Sequence, residues 1–112
     1  MQTGKFVTGI LKAYPTCLGK QIYAAVGYYT PKQIMSEFRE VIREPAAFAQ
    51  IREDVFKSFL PPPVAQELLE NMLLLENPGY YAGGDLISSR DMTDGELTTW
   101  KEFVEANKAR WV

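Results

Sequence analysis

The residues able to do chemistry are few. Cys17 is the one thiol in the chain and histidine is absent, so the commonest general base and the commonest zinc ligand are both missing. Thr16 could cap a helix and place Cys17 near its positive end, with Lys20 one turn on, which would lower a thiol pKa. No imidazole is present to complete a nucleophile–base pair, so Cys17 reads as a buried structural thiol. Asp85, Asp91, Asp94 and Glu96 cluster in sequence. Calcium loops need tighter alternating ligands and a distal bidentate glutamate, and this spacing does not match. There is no zinc spacing, nucleophile elbow or glycine-rich phosphate loop, and Gly83-Gly84-Asp85 alone says little. The expectation is therefore a chain with no catalytic residues, no metal and no cofactor.

Nucleic acid is also a poor fit. Residues 22–38 can be read as a helix-turn-helix with Gly27 in the turn and Thr30 opening the second helix. In that frame Gln33 and Ser36 occupy positions that should be apolar, and the net charge of the chain is −2. Duplex affinity rests on phosphate neutralisation, which this balance does not favour.

What stands out instead is aromatic and leucine-rich surface. Six of the fourteen aromatic residues are tyrosines, and tyrosine and tryptophan favour interfaces because they join a large contact area to a polar tip. Tyr80 and Tyr81 lie in a 16-residue connection between Asn77 and Met92 that also holds Pro78, Gly79, Gly83 and Gly84. A connection that long is often functional. The reading nominates Tyr80, Tyr81, Asp85 and Arg90 of this connection as partner-binding residues. Leu74 of the preceding leucine-rich segment and Trp111 near the C-terminus complete the set.

The elements that would position them read as helices. Thr30 as N-cap and Pro31 as first helical residue open one helix, and Ile34, Met35, Phe38, Val41 and Ile42 form its stripe before Pro45 ends it. A second is expected from Ala46 to Leu60, with Phe48, Ile51, Val55, Phe56 and Phe59 on one side and a Glu53–Lys57 pair outside. After Pro61-Pro62-Pro63 comes a helix from Val64 to about Glu76, with a wide apolar arc from Leu68 to Leu75. A helix that apolar is either central to a core or pressed against a second chain. Thr93-Asp94-Gly95-Glu96 matches a capping box for a last helix carrying Leu97, Trp100, Phe103 and Val104.

Residues 5–29 allow two readings. Helical spacing of Phe6, Val7, Ile10, Leu11 and Tyr14, then of Leu18, Ile22, Ala25, Val26 and Tyr29, favours two helices. Alternatively Phe6-Val7 and Ile22-Tyr23 form a β-hairpin, which would make the fold α+β.

The fold expected is all-α, one domain over residues 1–112, with four to six short helices turned at steep angles by the prolines. Charge is uneven: residues 1–29 carry three lysines and no acid, and residues 61–112 carry nine acids and four bases. Opposite ends could attract, within one chain or head-to-tail between copies. The function expected is a non-enzymatic protein-interaction module: an adaptor, inhibitor or small accessory subunit. It has a protein partner, a capacity for homo-oligomers, no membrane span and, from its lone cysteine, a cytoplasmic setting. The alternatives are a DNA-binding regulator and a small ligand binder or enzyme with a tyrosine and carboxylate pocket.

Overall fold

The computed structural model describes residues 2–112, and all regular structure among them is helical, with no strand. The order is α1 (Gln2–Ala13), α2 (Pro31–Ile42), α3 (Glu53–Ser58), α4 (Pro62–Glu76), α5 (Ile87–Asp91) and α6 (Trp100–Ala106), followed by a 3₁₀ turn at Lys108–Arg110. The all-α reading holds and the N-terminal hairpin does not, since Phe6 and Val7 lie inside α1. The chain divides into two compact units, one of residues 1–48 and 85–112, the other of residues 49–84.

In the first unit α2 and α6 make the core. Thr30 caps α2 as the sequence implies: its hydroxyl accepts from Gln33 N, and the Gln33 side chain accepts from Thr30 N. Val41, Ile42 and Val104 are buried together, with Phe38 and Trp100 packed against them. Trp100 Nε1 donates to Ile34 O at 2.9 Å, which satisfies the indole where it leaves water. Lys101 meets Glu40 at 2.7 Å across the exposed edge of the same pair.

α1 lies against the strap of residues 92–98. Gln2 is bonded twice to Thr98: its amide donates to the carbonyl at 2.9 Å, and its oxygen accepts from the N–H at 2.8 Å. Asp94 N donates to Lys5 O, and Lys12 pairs with Asp94 at 2.8 Å. This approach needs Gly9, because a Cβ there would stand 1.9 Å from Met92 O.

Three expected elements differ. No helix follows Thr16: turns run to Gly19, at φ +78°, and residues 20–30 form no regular structure, with a tight turn from Ala25 N to Tyr23 O. Tyr23 N is bonded to the hydroxyl of buried Ser89 at 2.9 Å, a long-range partner that local helical spacing cannot reveal. The helix expected from Ala46 to Leu60 shrinks to α3. Arg43 closes α2 in the left-handed region, no regular structure forms from there to Arg52, and Phe48 and Ile51 remain exposed. Without burial the apolar spacing gives a short helix too little support, while Glu53 and Asp54 favour a start at its positive end. Lys57 reaches Gln66 of α4 rather than Glu53. Finally, the capping box of the last helix is Thr99 with Glu102, not Thr93 with Glu96. Thr93 donates its hydroxyl to Arg90 O and Gly95 O, and the residues after it are occupied in holding α1.

Candidate interaction surfaces

In the second unit α4 packs on α3 through a narrow seam. Only Ala65 and Leu69, four residues apart, are buried on it. Val64, Leu68, Met72, Leu73, Leu74 and Leu75 are all exposed. The wide arc is therefore not the centre of a core. Asn77 N donates to Leu73 O and Gly79 N to Leu74 O, so the chain curls back over the last turn of α4. Gly79, at φ +94°, makes that reversal without a Cβ penalty. Ala82 N to Gly79 O and Gly84 N to Tyr81 O close two further turns. The connection is a run of hydrogen-bonded turns that holds Tyr80 out, 72% exposed, edge-on to Tyr81 at 4.8 Å between ring centroids.

The other nominated residues lie in the first unit. Asp85 is exposed, and its carboxylate accepts from Ile87 N at 2.9 Å at the start of α5. This brings Leu86 into the core. Arg90 is exposed on α5, on the wall of an open cleft of about 440 Å³ shared with Val26, Asp91, Glu96 and Thr99. Trp111 is half engaged: its ring meets Phe38 edge-on at 5.4 Å, and 45% of it is exposed. Leu74, Tyr80 and Tyr81 thus belong to one unit, and Asp85, Arg90 and Trp111 to the other.

The other candidates also have places. Cys17 is partly buried and its thiol faces Ile10 O at 3.4 Å. The first helix of the helix-turn-helix frame is not formed, because residues 20–30 have no regular structure. A second groove, beside Arg39, Arg43 and Pro45 at the end of α2, measures about 550 Å³. Neither cleft has a tyrosine in its wall.

Among the described residues nineteen large hydrophobic side chains are exposed against seven buried hydrophobic ones. The molecule is a helical scaffold whose apolar residues are incompletely used by its own packing. Val7 and Leu11 of α1, and Tyr14 and Leu18 in the turns after it, are exposed as well. The spacing was legible, and only the position of the 92–98 strap shows which side stays open.

The model of the NmrA-like family matches residues 1–104, and the chain belongs to that family. No curated protein and no solved structure matches it.

Proposed function

We propose that this chain is a non-enzymatic protein-interaction module that binds a protein partner through the exposed apolar face of α4 and the turn carrying Tyr80. The observation that carries this reading is α4 itself, with six apolar side chains exposed and two buried. Exposed apolar surface of this extent is costly in water, and covering it is the usual reason it is kept. Tyr80 adds a rigid aromatic with a polar tip, the kind of side chain that anchors interfaces.

NmrA-like proteins are linked to NAD(P) binding, so the fit of these residues to a dinucleotide matters. A pyrophosphate needs a glycine-rich turn leading from a strand into a helix N-terminus. The glycines at 79, 83 and 84 follow the C-terminal end of α4, and no strand is present among the described residues. The residues here do not fit that group.

The test is affinity purification from the native host with wild type and with Tyr80→Ala/Tyr81→Ala. A chain recovered stoichiometrically with wild type should be lost with the variant, while the thermal midpoint hardly moves. A large fall in the midpoint would show that these rings serve the fold instead.

A further inference from the structure

We propose that the exposed face of α4 docks the exposed stripe of α1 on a second copy of the chain. This rests on the reading of α4 as a docking surface and names what covers it.

Two helices carry open apolar faces. α4 presents Val64, Leu68, Met72 and Leu75. α1 presents Val7 and Leu11, and Tyr14 and Leu18 are exposed in the turns after it. Val7 and Leu11 are four residues apart, as are Val64, Leu68 and Met72, a rise of about 6 Å per step along a helix. Side chains at such spacings interdigitate along a helix pair.

Their charges are opposite. α4 carries Glu67, Glu70 and Glu76 and no base. α1 and the segment after it carry Lys5, Lys12 and Lys20 and no acid. Lys12 is shared with Asp94, but both side chains remain about half exposed or more. Pairing α1 with α1 or α4 with α4 would bring like charges together. Pairing α1 with α4 brings unlike charges together, which favours that arrangement over both others.

Light scattering on the wild type across rising concentration should show the mass climb above 12.7 kDa, with salt opposing the climb. Leu11→Glu and Leu68→Glu each spoil one face and should each weaken association at least about tenfold. The deciding measurement mixes them. Leu11→Glu keeps an intact α4 and Leu68→Glu an intact α1, so together they should form a one-to-one dimer that neither forms alone. Circular dichroism checks that both fold, and Val7→Glu with Leu75→Glu serves as a second pair. Failure of the mixture to associate overturns the proposal, as does sensitivity to only one of the two faces. A wild type that stays monomeric also overturns it, yet leaves the module reading standing if a different protein is still lost with Tyr80→Ala/Tyr81→Ala.

Discussion

Replacing Gly9 by alanine should destabilise the first unit although alanine is the better helix former. In an open helix the change would gain about 1 kcal/mol. At this position the added Cβ meets Met92 O at 1.9 Å, Met92 C at 2.8 Å and Thr93 Cα at 3.1 Å, where separations under 3.0 Å are essentially never found. All three atoms are backbone, so no side chain can rotate away. α1 has to lift from the 92–98 strap. That breaks the two Gln2–Thr98 hydrogen bonds and the Asp94 N to Lys5 O bond, at about 1 kcal/mol each. It also opens part of buried Phe6, for about 1 kcal/mol more. Less the gain in propensity, the net loss is about 3 kcal/mol, a fall in midpoint of at least about 10 °C for a unit this size. Thermal melts followed by far-ultraviolet circular dichroism measure it. Gly4→Ala is the internal control, because nothing lies within 4 Å of its Cβ on the same helix. It should raise the midpoint or leave it unchanged. A Gly9→Ala protein as stable as wild type would refute the packing of α1 on the 92–98 strap.

Two further outcomes are expected. Thr99→Ala should cost about 1 kcal/mol by removing the cap of α6, and Thr93→Ala less than about 0.5 kcal/mol; urea titrations of the two would separate the capping boxes. The Glu40 hydrogen bond and charge raise the Lys101 pKa above 10.5. Because the folded value is the higher one, the pair's contribution is complete below 10.5 and fades as pH rises through the folded value. Wild type should therefore hold a small advantage over Lys101→Met at pH 8 that is lost in strong alkali, as paired melts would show.

The class of the fold was legible because α2 and α4 state themselves locally. Thr30 followed by Pro31 and a clean apolar stripe leaves little else for that segment to do, and a proline run followed by leucine and glutamate does the same for α4. Tyr80 was legible as an exposed residue because its neighbours are turn formers with no core to offer. The hydrogen bond from Ile87 N to the Asp85 carboxylate was not, since an aspartate in sequence looks the same whether or not it accepts from the backbone two residues on.

Sequence alone thus determined which segments favour helix, where prolines stop them and where charge accumulates, since these depend on neighbours within one or two turns. Tertiary structure decided the rest. Residues 20–30 gave up their helical spacing where Tyr23 N found Ser89, sixty-six positions away. Of two Thr-x-x-Glu patterns six residues apart, the second became the cap because the first was drawn into the strap that holds α1. Which apolar faces stay open was likewise decided there, because burial belongs to pairs of segments and periodicity describes one segment at a time.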